Sequence, residues 1–260
     1  MKNQHLSAIT ALPISEFVNH RENFFAQMAD NSIAFFSAAS EVTRSNDTEF
    51  AFCQKKSFYY LTGFDEPDAM LVLIKQADSK QSILFSLPKD SKHEIWHGRR
   101  IGQEKACQHY HFDQCFTLDE QSELIGQYLN GLKHVYFSFD DEKLSQQVFA
   151  YLAQVRGCIR QGAKVPTQLI DANPIVDDLR LIKSRHEIAL MRQVNTISGL
   201  AHQRAMQKTK AGLFEYQIEN EILHEFTRHG ARYAAYATIV AGGDNANILH
   251  YTDNSEALNN

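Results

Sequence analysis

What most limits the folding of this 260-residue chain is a set of short apolar runs, at residues 33–38, 58–61, 70–74 and 83–87, each bounded by Gly, Pro, Asp or Ser. Runs this short read as buried strands, because a helix needs a longer periodic stretch to bury one face. A further strand is predicted over 134–139. Helices fall between them. Residues 15–28 bring Phe17, Phe24, Phe25 and Met28 to one side with Ser15 as N-cap, a second helix stops at Gly131, and a third covers 144–155. The front of the chain is therefore α/β, with a mixed sheet flanked by helices.

Between 157 and 174 the periodicity breaks at Gly157, Gly162, Pro166 and Pro174, which puts an interdomain connection near residue 175. The expected domains are 1–175 and 176–260. In the second, Ser184 and Glu187 form a capping box that opens a long helix. Its stripe of Ile188, Met191, Val194, Ile197, Ala201 and Ala205 is expected to be buried. Gly212 closes that helix, and another spans 214–229 up to Gly230, where a left-handed residue ends helices. Strands at 238–240 and 247–251, joined by a Gly242-Gly243-Asp244-Asn245 turn, would make this domain α+β.

A hydrophobic content of 43% supplies apolar surface for two cores, and 22% charged residues is ordinary for a globular chain. The net charge of -5 and the lack of a Lys/Arg-rich run leave no basic field for a phosphate backbone. No stretch reaches the ~20 apolar residues of a membrane span, and residues 1–13 hold no signal-peptide core. A cytoplasmic protein that binds neither nucleic acid nor membrane is expected. Cys53, Cys107, Cys115 and Cys158 form no CxxC pair and read as reduced thiols.

Several residues invite a chemical role. His224 and His229 share a predicted helix, but an i, i+5 spacing separates the imidazoles by about 140° around the axis, so they read as two partly exposed histidines. His93, His97, His109 and His111 lack the companion ligands of a tetrahedral zinc set and read as surface histidines. The glycines of 242–245 suit a tight turn better than a phosphate loop, with no Lys-Ser/Thr following. Asp140 and Asp141 precede a helix and read as caps before they read as an acid–base pair. His250 ends an apolar run, where functional groups are commonly presented, though an ordinary half-buried histidine fits equally. Trp96, the single tryptophan, lies in Ile95-Trp96-His97-Gly98-Arg99-Arg100 and could anchor a core, meet another subunit or wall a pocket.

Taken in order, Glu41-Val42-Thr43-Arg44-Ser45, Thr62-Gly63-Phe64-Asp65-Glu66-Pro67, Glu94-Ile95-Trp96-His97-Gly98-Arg99-Arg100, residues 221–233, Thr238-Ile239-Val240 and Asn247-Ile248-Leu249-His250-Tyr251 resemble the aminopeptidase P family, the Xaa-Pro branch of the pita-bread metallopeptidases. The resemblance covers nearly the whole chain. It implies a creatinase-like N-terminal domain followed by an incomplete α+β pita-bread domain, from an enzyme that removes the residue preceding proline. Two divalent ions, usually manganese, would activate a bridging water there.

By the same resemblance His250 lines the active site as a non-metal group, Tyr236 contacts substrate from a neighbouring strand, and Trp96 reaches a neighbouring subunit's site in a homo-oligomer. The family's metal ligands are two Asp, one His and two Glu, expected beyond Asn260, so this chain alone is expected to be inactive and to leave apolar strand edges unpaired. Prolidase and creatinase relatives, or a catalytically dead module that binds peptides or histones, are the alternatives. The Trp-x-Gly-Arg-Arg segment favours aminopeptidase P, and the retained His250 argues against a dead module.

Overall fold

The structure is a computed structural model that describes residues 9–259. Two compact units divide it: one is Pro13–Ile182, and the other comprises 183–259 together with 9–12. Among the described residues no helix is long and apolar enough to cross a membrane.

The strands are β1 (Ser32–Ser37), β2 (Thr43–Ser45), β3 (Thr48–Glu49), β4 (Met70–Gln76), β5 (Ser79–Ser86), β6 (Gln114–Thr117), β7 (His134–Phe137) and β8 (Gln168–Asp171). The helices of the same unit are α1 (Ile14–Gln27), α2 (Lys56–Thr62), α3 (Ser91–His97), α4 (Gln103–Tyr110), α5 (Gln121–Leu129), α6 (Glu142–Gly157) and α7 (Asn173–Leu181). Six strands form one sheet in the order β6-β5-β4-β1-β7-β8, and β2 pairs with β3 in a separate ribbon. The sheet is mixed. Strands β1, β4 and β5 run antiparallel in sequence, whereas β6 lies parallel to β5, and β7 parallel to both β1 and β8.

Alternation decides which side each strand residue serves. Ala34, Phe36, Leu71, Leu73 and Leu84 join Phe24, Phe25, Phe58 and Leu61 of α1 and α2 in one cluster. Ile33, Phe35, Val72, Ile83 and Phe85 join Ile125 and Leu129 of α5 and Val148 and Leu152 of α6 in the other. Buried on both faces, β1 and β4 read as unbroken apolar runs.

Four expectations for this unit need correction. Residues 58–61 belong to helix α2 and not to a strand: Phe58 and Leu61 share one face, and Gly63 ends the helix at φ 66, its N–H donating to the Tyr59 carbonyl at 2.8 Å. A run of four residues is too short to show period 3.6 against period 2. Helix α1 starts at Ile14 with Pro13 in the N-cap place and no side-chain cap, so Ser15 lies inside it. Strand β7 stops at Phe137, short of residue 139. The segment read as irregular holds β8 and α7, and the unit runs on to Ile182, because Val176 of α7 is buried in the first cluster.

The second unit pairs α8 (Arg185–Lys208) with α9 (Glu215–Arg228). The capping box is present as predicted: Glu187 N–H donates to Ser184 Oγ at 3.2 Å and Ser184 N–H to Glu187 Oε2 at 2.7 Å. The stripe is buried only in part. Ile197 and Ala201 are covered, with Ile218 of α9, whereas Ile188, Met191 and Val194 are exposed.

The strands predicted at 238–240 and 247–251 do not form. Residues 243–247 make a 3-10 turn, and the isolated bridge Phe214–Ala257 is the strand-like pairing nearby. A side chain takes the place of a neighbouring strand: Asn254 Oδ1 accepts from Val240 N–H at 2.9 Å, and its Nδ2 donates to the Thr238 carbonyl at 2.9 Å.

Candidate active site

The second unit's site is organised by the first residue of α9. Glu215 is fully buried. Its Oε1 accepts from Gly242 N–H at 2.7 Å and Asn245 Nδ2 at 3.4 Å, and its Oε2 accepts from the Tyr251 hydroxyl at 2.7 Å and Glu256 N–H at 3.0 Å. Burial alone would raise the carboxyl, but these four donors hold it below the ordinary carboxylate range. The accepted hydrogen bond from Tyr251 in turn raises that phenol, with burial adding to it. A second contact fastens the same segment: Asn254, in the left-handed region at φ 48, donates from Nδ2 to Glu219 Oε2 at 3.1 Å.

Since Tyr251 turns inward and is 8% exposed, its neighbours turn out: Leu249 is 88% exposed and His250 is exposed too. The half-buried histidine that the sequence left open is not what forms. Tyr236 lies in the irregular segment after α9 and not on a strand; it is exposed and lines a cleft of about 330 Å³ with Ile197, Phe226, Tyr233 and Ile239. His250 is not among that cleft's walls. His202 is, with Nδ1 at 2.8 Å from the Ser198 carbonyl.

His224 is exposed, but His229 is buried, a correction to the pair of partly exposed histidines. Its Nε2 lies 3.0 Å from Glu225 Oε1, and Glu225 also meets Arg204 at 3.5 Å. The i, i+4 contact to an acid one turn back is what draws it inward.

In the other unit, Trp96 sits on α3, a helix with no buried residue, and is 85% exposed beside the equally open Ile95. Of the four histidines nearby, His93 and His97 stack on that helix at 5.2 Å and all four are exposed. Asp141 caps α6 as predicted, accepting from Leu144 N–H at 3.1 Å, and also accepts from Ser37 Oγ at 2.6 Å and from Lys55. Asp140 instead accepts from Asn173 Nδ2 at 3.0 Å.

The sequence did not point to Glu215 or Asn254. An acid at the first helical position reads as a solvated partner of the helix dipole, and nothing local reveals that a later segment folds over it.

Within either unit, no three His, Cys, Asp or Glu donors among the described residues converge closely enough to share an ion. Glu215 has its lone pairs engaged by protein donors, and Glu225 is spent on Arg204 and His229. Neither unit by itself therefore offers, among its described residues, a donor set that fits a pair of catalytic divalent ions.

Residues 17–136 match the model for the aminopeptidase P N-terminal domain, and residues 189–260 match the metallopeptidase family M24. Together with the mixed sheet and the α8–α9 segment, these matches define a protein of the M24 metallopeptidase class with an N-terminal domain and part of the M24 domain. Xaa-Pro aminopeptidase of Escherichia coli is 44% identical over 241 residues, 92% of this chain and 55% of that relative; the Haemophilus influenzae protein of the same name is 38% identical, over 98% and 57%. Among solved structures, the low-pH form of E. coli aminopeptidase P superposes at TM-score 0.94 with 42% identity, over 96% of this chain and 57% of that one. Proline aminopeptidase P II from Yersinia pestis gives 0.92 and 44%, over 95% and 57%. The chain belongs to the aminopeptidase P family, and it spans a little over half the length of these relatives.

Proposed function

We propose that this chain is the N-terminal portion of a metal-dependent Xaa-Pro aminopeptidase, which releases the residue preceding proline from peptides, and that the 260 residues alone do not hydrolyse them. The observation that carries the reading is the joint match, in order, of an aminopeptidase P N-terminal domain and an M24 segment to relatives named for this activity. One related structure holds the inhibitor Pro-Leu and another is zinc-substituted, which supports a proline-containing peptide as ligand and divalent metal as cofactor.

In this reading Pro13–Ile182 is the N-terminal domain, through which copies associate as a cytoplasmic homo-oligomer with Trp96 directed at substrate. Tyr236 and His250 stand on the substrate side of the second unit, where the outward imidazole can hydrogen-bond a peptide carbonyl or the oxyanion it becomes. Divalent ions, manganese in this proposal, would supply a nucleophilic water at neutral pH, and neither unit by itself brings together donors among its described residues that would hold them.

The test is a chimera in which residues 1–260 replace the matching part of E. coli Xaa-Pro aminopeptidase, assayed with manganese beside the chain alone. The chimera should cleave an Xaa-Pro peptide and spare its Xaa-Ala counterpart, with the chain alone silent. A chimera that folds, binds metal and stays silent would overturn the enzyme reading in favour of a peptide-binding module. Hydrolysis by the chain alone would overturn its inactivity.

A further inference from the structure

We propose that Glu215 is the positioning residue that sets where His250 stands. The inference rests on the reading of His250 as a substrate-side group, and its geometry is independent of that reading. A buried carboxylate is costly unless its oxygens are well occupied, and every side-chain bond of Glu215 goes to one segment: Gly242 and Asn245 before His250, Tyr251 and Glu256 after it. The two oxygens divide that work. Oε1 holds the near side of the histidine and Oε2 the far side, so a single rigid group brackets it.

The bond set is not needed to start the helix. Gln217 already turns back to accept from Phe214 N–H at 2.9 Å, which caps α9 without Glu215. The backbone gives the bracket little slack. A Cβ on Gly242 would stand 2.7 Å from Leu258 Cδ2, and Leu258 is itself tied, its N–H donating to the Leu213 carbonyl at 2.7 Å. On the far side the backbone of Glu215 pairs with that of Glu256 at 3.0 Å. With Tyr251 drawn onto Oε2 and buried, the residue before it has to face outward. Loosening either oxygen's bonds leaves α8 and α9 in place and frees the histidine to rotate toward the core or away from a bound peptide.

The experiment follows the His250 imidazole and backbone amide exchange in the isotope-labelled chain by NMR, for wild type, Glu215→Gln, the milder Tyr251→Phe, and Glu221→Gln as a control on the same helix. Glu215→Gln should shift the His250 ring resonances and speed exchange at Gly242 and Glu256 tenfold or more, with amides of α8 and the middle of α9 changed less than twofold. Tyr251→Phe should do the same to a smaller extent, and Glu221→Gln should do neither. An unmoved His250 in both Glu215→Gln and Tyr251→Phe overturns the proposal, as does exchange that rises equally through α8 and α9, which would make Glu215 a general stabiliser. The chimera with the E. coli relative reads the other premise separately. If His250→Ala leaves its Xaa-Pro cleavage unchanged, the substrate role of His250 fails, and a shift on Glu215→Gln still establishes the bracket.

Discussion

Gly63 and Phe17 meet where the end of α2 turns under α1, and the contact leaves no room for a side chain. A Cβ built on Gly63 would lie 2.7 Å from the Phe17 ring, at a φ of 66 that suits glycine. Gly63→Ala should therefore cost on the order of 1–3 kcal/mol, read as a lower urea midpoint at unchanged slope. Asp141 offers a pH-dependent case. Burial works to raise its carboxyl, but hydrogen bonds from Lys55, Ser37 and Leu144 N–H hold it below the usual aspartate range. A lowered native value means the stabilisation is complete above the unfolded value and lost as pH falls through the native one. Asp141→Asn should cost about 1 kcal/mol near neutrality, and the gap from wild type should close below roughly pH 4. Guanidine melts across that range test it; a gap that persists at pH 2 would remove the charge from the account.

At the scale of elements, α8 separates what packing needs from what it leaves open. Ile188→Gln and Met191→Gln should change stability by less than about 0.5 kcal/mol, since both side chains already meet solvent. Ala201→Leu should cost about 1–3 kcal/mol, because Ala201 is fully buried in the α8–α9 pair. The sequence showed the stripe and not its cover: periodicity locates an apolar face, and only the tertiary partner decides which part of it is buried. The same limit explains α2, whose Phe58 and Leu61 were legible as core residues but not as helix. It also explains residues 238–251, where apolar alternation was present and a strand partner was not, so Asn254 answers the backbone instead. Strands β1, β4 and β5 and the Ser184 capping box were legible because each is specified locally, by a run or a spacing. Of the proposed site, His250 and Tyr236 were named through family resemblance alone, whereas Glu215 acquires its meaning only when Gly242 and Tyr251 arrive from far along the chain.

For the whole molecule, the two compact units should respond separately to a protease. The sheet of Pro13–Ile182 is covered on both faces by its own helices, so limited proteolysis should leave a protected fragment ending close to Ile182. Mass spectrometry of a digestion series decides it; cleavage throughout that stretch with no surviving fragment would show that the unit does not stand alone.

The central position of β1 also has a consequence during synthesis. Ile33 must wait for Val135 before its parallel neighbour exists, and for α5 and α6 before Phe35 on that same face is covered. At 5–20 residues per second, that is a delay of roughly 5 to 20 s after β1 leaves the ribosome. Strands β4 and β5 can join it early and satisfy one edge, but the other edge stays open until β7 emerges and one apolar face until α6 follows. The nascent chain is thus a natural client for holding chaperones over this interval, and slow translation of the stretch before His134 would prolong its exposure to aggregation.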